Sequence, residues 1–549
     1  MGGNTKFIDS HKIPLLDVQN YSVGLKKTGN QSLVSSVSFS ISKGEIFGIA
    51  GESGSGKTLL TLSMFGFHNA AQLVTGDVYF DDKKIIENGM QLVRAQKLAL
   101  RIGFILQDPF SSLNPSVKIG KQIAEAIYLS KGKRVKSSEN RCLVYDLLTE
   151  VGIPDPKIAY DQYPDQFSGG MRQRIVIAIA LSQEPELLIA DEPTTALDAS
   201  TQKRIIDLIV DRSRERGLSV ILVSHNLAML RATVDRVAVM KNGKILDIFN
   251  PLKIKNTHLD QYTKTLFEGL QSANENIKGK VQKANHKNYE VHASPPLIAM
   301  RNIEKTFSSS ILQKNSNFAL NNINLEIFAG EVVGFLGESG SGKSTLASII
   351  TNLIIPNDGF YKYNGQNVFS YSRRQLKKFK SNVQMIFQDP YGSLNPRYSI
   401  KSTINEALLI HEPTLSSVAR EKRIVNLLND VGLDRTALEK FPHEFSGGQR
   451  QRIAIARAMS VGPELLVCDE PLSSLDVATQ AQILNLFSAL IDKKKFSMIF
   501  ITHDINVAKI LCDRLYVLSD GRIVEHGETK SVLNNPRHEY TSKLIDAVY

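Results

Sequence analysis

Two octapeptides constrain this chain more than any other feature: "GESGSGKT" at 51–58 and "GESGSGKS" at 337–344. Each fits G-x-x-x-x-G-K-[ST], a glycine-rich turn whose backbone N–H groups can wrap an anion. Each ends a short apolar run, "EIFGIAG" (45–51) and "EVVGFLG" (331–337). The pattern asks for a strand, a tight loop and a helix, twice.

The repetition extends beyond the loops. "FILQDPFSSLNP" (104–115) recurs as "MIFQDPYGSLNP" (385–396), and "QFSGGMRQRIVIAIAL" (166–181) as "EFSGGQRQRIAIARAM" (444–459). "PELLIADEPTTALD" (185–198) recurs as "PELLVCDEPLSSLD" (463–476), and "SHNLAML" (224–230) as "THDINVA" (502–508). Lys57 and Lys343 lie 286 positions apart, whereas Ser168/Ser446, Asp191/Asp469 and His225/His503 each lie 278 apart. Insertions and deletions therefore fall between the glycine loop and the SGG motif, and each half is a complete copy of one domain. Segment 270–296 is rich in Asn, Lys and Gln and ends in Pro295-Pro296, which reads as a solvated linker. The expected organisation is a first domain at 13–269, a linker at 270–296 and a second domain at 297–549.

Within each copy, "ELLIAD", "ELLVCD", "SVILVSH" and "FSMIFITH" are continuous apolar runs bounded by polar turns, as expected of strands buried on both faces of a mainly parallel sheet. "RCLVYDLLTEVG" (141–152) and "SVAREKRIVNLLNDVG" (417–432) instead place apolar residues near helical spacing. Each copy is thus expected to carry a helical insert ahead of its SGG motif.

Composition removes several function classes. No stretch approaches the roughly 18 consecutive apolar residues of a membrane span, and "MGGNTKFIDS" lacks a signal-peptide core. Lys6 breaks the myristoylation pattern. The three cysteines (Cys142, Cys468 and Cys512) are scattered and form no CxxC pair, which argues against a disulfide framework, a zinc site or an iron–sulfur cluster. The net charge of +11 is compatible with an anionic partner, but no unbroken block of five or six like charges occurs, so a dispersed solvated surface is expected.

The repeated residues suit phosphate chemistry. Gly51, Ser53, Gly54, Ser55 and Gly56 in one loop, and Gly337, Ser339, Gly340, Ser341 and Gly342 in the other, give a tight path around phosphates. Lys57 and Lys343 can reach β- and γ-phosphates, and Thr58 and Ser344 can place a hydroxyl on Mg2+. Asp191 and Asp469 end apolar strands, where a carboxylate can hold Mg2+ through its water shell. Glu192 and Glu470 follow directly and can polarise an attacking water. Gln107 and Gln388 are uncharged and suit a switchable contact to the metal or water. His225 and His503 can face the γ-phosphate from the far side. Ser168, Gly169 and Gly170, and likewise Ser446, Gly447 and Gly448, open a predicted helix whose N-terminus favours an anion. A second anion site per copy is surplus unless each copy serves the other's nucleotide.

Taken together, these motifs resemble the ATP-binding-cassette ATPases over nearly the whole chain outside the linker and termini. The resemblance implies two tandem P-loop domains of α/β class. Each would have a RecA-like, mainly parallel sheet, an antiparallel β part and a helical signature subdomain. The glycine loops match Walker A, the Asp-Glu segments Walker B, Gln107 and Gln388 the Q-loop, SGG the signature, "ALD" and "SLD" the D-loop, and His225 and His503 the switch histidine. "QDP-x-x-SLNP", "FSGGMRQR" and "FSGGQRQR" are similar to the peptide/nickel/opine importer subfamily, here with both ATPases fused. "HEPTLSSVARE" (411–421) and "LDVATQAQIL" (475–484) resemble a fused member that serves oligopeptides and peptide-like antibiotics. "RHEYTSKL" (537–544) matches that subfamily's His-x-Tyr-Thr element, while "LDQYTKTL" (259–266) has Asp260 at the histidine position.

By this resemblance the protein is an ATPase using ATP and Mg2+ at the cytoplasmic face of a bacterial inner membrane. Lys57, Gln107, Asp191, Glu192 and His225 would join Ser446, Gly447 and Gly448 in one site. Lys343, Gln388, Asp469, Glu470 and His503 would join Ser168, Gly169 and Gly170 in the other. Two integral membrane permease subunits would dock near the Q-loops, around Phe110 to Pro115 and Tyr391 to Pro396, with structural turns as the competing reading. A periplasmic binding protein would act indirectly, and no nucleic acid is expected. Phe307 stands where the family stacks an aromatic on adenine, and Leu25 aligns with it. Weaker ATP binding at the first site is therefore expected, unless Tyr21 compensates. The alternative is a tandem ATPase working on ribosomes; a linker with Pro295-Pro296 and no heptads argues against it. DNA-repair relatives carry zinc cysteines that this chain lacks.

Overall fold

The structure, a computed structural model, describes residues 14–25, 32–52, 54–68, 72–93, 95–98, 100–106, 112–131, 137–194, 199–253, 258–264, 266, 295–307, 317–389, 391–473, 475 and 477–546. Ser53, Gln107 and Phe110, and the linker from 270 to 294, lie outside the described residues. The chain divides into two compact units, one from each half of the sequence.

The units repeat one architecture. In the first, a six-stranded sheet runs in the order 244–249, 236–241, 46–50, 219–223, 187–191 and 102–105, parallel except at the edge strand Lys244–Phe249. In the second the order is 522–528, 514–519, 332–336, 497–502, 465–469 and 383–386, again with one antiparallel edge. Both glycine loops leave a central strand of this sheet, Ile46–Ala50 or Val332–Leu336. Beside each lies an antiparallel sheet, built on Leu16–Leu25 in the first unit and Ile298–Phe307 in the second.

The apolar runs form strands because both faces are covered. Along Ser219–Val223, Val220 and Leu222 join the core under the helical part, with Ile123, Leu148 and Ile177. Ile221 and Val223 point the other way, to the core shared with Tyr21, Phe47 and Phe65. In the second unit, Met498 and Phe500 face one core and Ile499 and Ile501 the other. A period of two between two apolar layers needs a continuous run of apolar residues, as read from the sequence. The expected helical inserts are present as Ser137–Glu150 and Ser417–Asp430, ahead of signature helices Gly169–Ser182 and Gly447–Met459. No helix among the described residues is long and apolar enough to cross a membrane.

Two expectations need correction. Tyr21 is fully buried in the antiparallel layer, so it cannot stand in for Phe307 at a base. And the basic charge is not dispersed everywhere. Helix Arg373–Asn382 turns Arg373, Arg374, Lys377, Lys378 and Lys380 outward, all exposed. Its other side sets Phe379 against Tyr361, Tyr363 and Tyr371, with ring centroids 5.2–6.3 Å apart. Apolar residues at 376 and 379 interrupt the charge run in sequence, while the 3.6-residue turn gathers it on one side.

Candidate functional site

Each glycine loop is held by its own strand and sheet. A Cβ at Gly51 would lie 2.3 Å from the Met240 carbonyl oxygen, and one at Gly337 would lie 2.3 Å from that of Leu518. Only glycine fits where the loop passes so close to the neighbouring strand. The other side of each loop is open: at Gly54 and Gly340 a Cβ would meet nothing within 4 Å. Gly56 and Gly342 then start the helices Lys57–Ser63 and Lys343–Ile350.

The loop lysines are buried, with 6% and 4% of their surface exposed, so their charges need strong partners. Lys57 Nζ donates to the carbonyl oxygens of Gly51 (2.8 Å) and Glu52 (2.9 Å). Lys343 Nζ donates to Gly337 O (2.8 Å), Glu338 O (2.6 Å) and Ser341 Oγ (3.2 Å). Ser55 is as buried as Ser341, and Ser339 is exposed.

One residue into each helix, Thr58 and Ser344 face the strand-end carboxylates. Ser344 Oγ donates to Asp469 Oδ1 at 3.1 Å, and the Thr58 hydroxyl favours the charged form of Asp191. Burial raises the Asp469 carboxyl to about 6, opposed by the Ser344 hydrogen bond and Lys343 and reinforced by Glu470. Burial likewise raises Asp191, against the pull of that hydroxyl. Asp191 Oδ2 is buried without a hydrogen-bond partner. A buried aspartate beside a hydroxyl in each unit suits a hard cation. Among the described residues, no group of three or more His, Cys, Asp or Glu could hold a metal alone. The donor set therefore fits Mg2+, which completes its shell with water and phosphate oxygens.

The structure also joins residues that the sequence reading treated separately. His225 Nδ1 lies 3.2 Å from Glu192 Oε1, and His503 Nδ1 lies 3.4 Å from Glu470 Oε2. Gln388 Nε2 donates to Glu470 Oε2 at 3.1 Å, leaving its amide oxygen as the atom able to ligate a cation. Burial opposes ionisation of Glu470, but the hydrogen bond and charge of His503, with Lys343, outweigh it and lower the carboxyl. Burial likewise penalises the His503 cation, and Glu470 reverses the balance and raises the imidazole. Both glutamates sit in the left-handed region, at φ 48° for Glu192 and 43° for Glu470. Such a backbone costs roughly 1–3 kcal/mol in a non-glycine residue. Amide bonds from Glu192 to Val223 O (2.9 Å) and from Glu470 to Ile501 O (3.1 Å) hold it there.

The signature serines are N-caps: Ser168 Oγ accepts from Met171 N, and Ser446 Oγ from Gln449 N, each at 3.3 Å. Gly169 and Gly447 open their helices, with Gly170 and Gly448 next. Phe307, at its strand end, is 50% exposed with Lys305 Nζ 5.5 Å from the ring centre; Leu25 ends the matching strand. In the "SLNP" turns, Leu113 and Leu394 are buried structural anchors, while Tyr391 is exposed under the Arg450 guanidinium.

Sequence reasoning missed three contacts. Gln173 and Gln451 are almost completely buried on the signature helices, and Gln173 Nε2 reaches Leu106 O at 3.5 Å, immediately before Gln107. Arg457 donates to Ser393 O at 2.6 Å, tying the second signature helix to its "SLNP" turn. Tyr540 Oη accepts from Glu338 N, within the glycine loop, at 2.9 Å. The "RQR" and "HEYT" strings were visible, but a polar or aromatic residue at helical spacing carries no sign of its partner.

The ABC transporter family matches this chain at residues 34–195 and 320–473. The chain is 37% identical to the peptidoglycan transport ATP-binding protein YejF of Agrobacterium fabrum, over 98% of this chain and 96% of the relative. It is 37% identical to YejF of Escherichia coli, an uncharacterized ABC transporter ATP-binding protein, over 97% of this chain and 99% of the relative. It is 35% identical to the glutathione import ATP-binding protein GsiA of Pectobacterium atrosepticum, over 97% of this chain and 89% of the relative. With a cassette matched in each half and relatives aligned over nearly its full length, this protein belongs to the ABC transporter family.

Proposed function

We propose that this chain is the ATP-hydrolysing subunit of a bacterial ABC importer and that its cargo is oligopeptide-like. The observation that carries the reading is the doubled constellation of buried loop lysine, buried strand-end aspartate and histidine-paired glutamate. Import is supported by the relatives, which are named for peptidoglycan transport and glutathione import, both peptide-containing solutes.

Lys57 and Lys343 turn N–H donors to β- and γ-phosphate oxygens when ATP binds. Thr58 with Asp191, and Ser344 with Asp469, hold Mg2+, and Gln107 and Gln388 serve as switchable ligands. The bound ion supplies positive charge against the phosphate oxygens. Glu192 and Glu470 orient the attacking water and accept its proton, each steadied by its histidine. Phe307 stacks on adenine at the second loop.

Each site is completed head-to-tail by the opposite cassette. Ser446, Gly447 and Gly448 cap the nucleotide on Lys57, and Ser168, Gly169 and Gly170 cap the one on Lys343. ATP then joins the halves, hydrolysis releases them, and cassettes at 13–269 and 297–549 move on the linker 270–296. Two permease subunits receive that motion near the Q-loops at the cytoplasmic face of the inner membrane, with a periplasmic binding protein delivering cargo. Tagged full-length protein purified from its source cells tests this. Recovery of two integral membrane proteins, and ATP-driven peptide uptake by the reconstituted complex, is expected. Recovery of ribosomes instead would refute the importer reading.

A further inference from the structure

The His-x-Tyr-Thr element of the second copy has no part in the chemistry described so far. Helix Glu539–Asp546 is fixed to the edge strand Arg522–Glu528 through one carboxylate. Glu525 accepts from the backbone N–H of Arg537 (2.9 Å) and of His538 (3.1 Å). His538 Nδ1 then accepts from Tyr540 N at 3.2 Å and caps the first turn. That chain of contacts delivers the Tyr540 hydroxyl to the glycine loop, where it accepts from Glu338 N at 2.9 Å.

The peptide it meets is a particular one. The plane joining Gly337 to Glu338 carries the Gly337 carbonyl oxygen, which accepts from Lys343 Nζ at 2.8 Å. Its N–H is the group that Tyr540 accepts from. One rigid peptide is therefore gripped at both ends, by the loop lysine at its oxygen and by the terminal helix at its nitrogen. Lys343 has three donors, so it can keep this oxygen while turning another N–H to phosphate, as the proposed function requires, and Tyr540 holds the same plane at its nitrogen. A rotated plane would carry the Gly337 oxygen away from Lys343 and set an N–H against its ammonium, so the Tyr540 contact preserves the acceptor that aims the lysine.

We infer that Tyr540 is a positioning residue for ATP at the second glycine loop. With His538 and Glu525, it makes the C-terminal helix a brace that keeps the Gly337 oxygen aimed at Lys343, and so holds that lysine in place for phosphate. The first copy holds the matching pieces in another form. Asp247 accepts from Asp260 N at 3.0 Å, and Asp260 Oδ1 accepts from Tyr262 N at 2.8 Å, so aspartate replaces histidine as the cap. Lys241 lies 4.1 Å from the Tyr262 ring centre, where the second copy has Ser519.

The inference rests on ATP occupying the loop of Lys343, so the experiment separates the two. The full-length chain is titrated with Mg-ATP after Lys57→Ala has silenced the first loop, and kcat and melting temperature are measured in the otherwise native chain. Tyr540→Phe keeps the ring and removes the acceptor. It should raise the Kd about fivefold, the equivalent of one ordinary hydrogen bond, with kcat at saturating ATP and melting temperature nearly unchanged. His538→Ala should weaken binding similarly, and His538→Asp, which installs the first copy's cap, should restore it. An unchanged Kd in Tyr540→Phe, or a Kd rise matched by a lost melting temperature and unrescued by His538→Asp, overturns the inference. Full ATP binding by the Lys57→Ala/Lys343→Ala double variant would instead overturn the reading of the loop itself.

Discussion

At the end of its first strand the first copy carries Leu25, where the second carries Phe307, half exposed beside Lys305. The signature helices differ in a similar way. Gln449 reaches back to Ser446 N at 3.0 Å and closes a reciprocal capping box, and Met171 at the matching place has no acceptor to offer. The terminal helices are capped by Asp260 in one copy and His538 in the other. Against this drift, the lysine–carbonyl and histidine–glutamate contacts and the buried strand-end aspartate recur in both copies. The asymmetry falls at the strand end, the signature cap and the terminal-helix cap, and the groups proposed for hydrolysis are spared.

That contrast can be broken at several strengths. Glu192→Gln and Glu470→Gln should each slow ATP turnover by about 10²-fold or more, the usual effect of losing a positioned base. Steady-state phosphate release would show it, and an intact rate in Glu192→Gln would make the first site regulatory. Gly51→Ala and Gly337→Ala should both cost well over 1 kcal/mol, because the new methyl meets a carbonyl oxygen that cannot retreat. Thermal melts should fall equally in the two variants if the loops are structurally equivalent. Phe307→Leu should weaken ATP at the second loop about tenfold and Leu25→Phe should tighten the first, if stacking has its usual strength. Nucleotide titrations with the opposite lysine replaced measure each, and equal affinities in the native chain would remove the asymmetry. Gln449→Met should cost about 0.5 kcal/mol and Met171→Gln should return a similar amount, read as small opposite shifts in melting temperature.

The fold was legible because its strands are doubly buried: a run such as "SVILV" or "LLVCD" has no polar side to confuse the reading. The groups proposed for phosphate and metal could be picked out because they sit at strand ends in fixed order, a constraint that duplication exposes. What stayed hidden depends on side-chain direction. Nothing in "HEYTSKL" reveals that Tyr540 points to a loop two hundred residues away. Nothing in "NYSVGL" distinguishes a tyrosine turned inward from one available to a base, since alternate strand residues face opposite sides and Tyr21 falls on the covered side. The basic face of Arg373–Asn382 was hidden for the converse reason, because the sequence is linear and the helix is not.

The left-handed glutamates have a consequence for any attempt to make this protein hardier. Like Ser36, Glu184 and Lys495, Glu192 and Glu470 hold the backbone against its preference, and asparagine or glycine would adopt the same φ with less strain. A selection that rewards heat tolerance alone should therefore drift toward Asn or Gly at 192 and 470, collecting sturdier molecules that no longer turn over ATP. Durability and work are in competition at these two residues. A thermostabilised variant of this chain is worth having only if phosphate release was scored alongside survival.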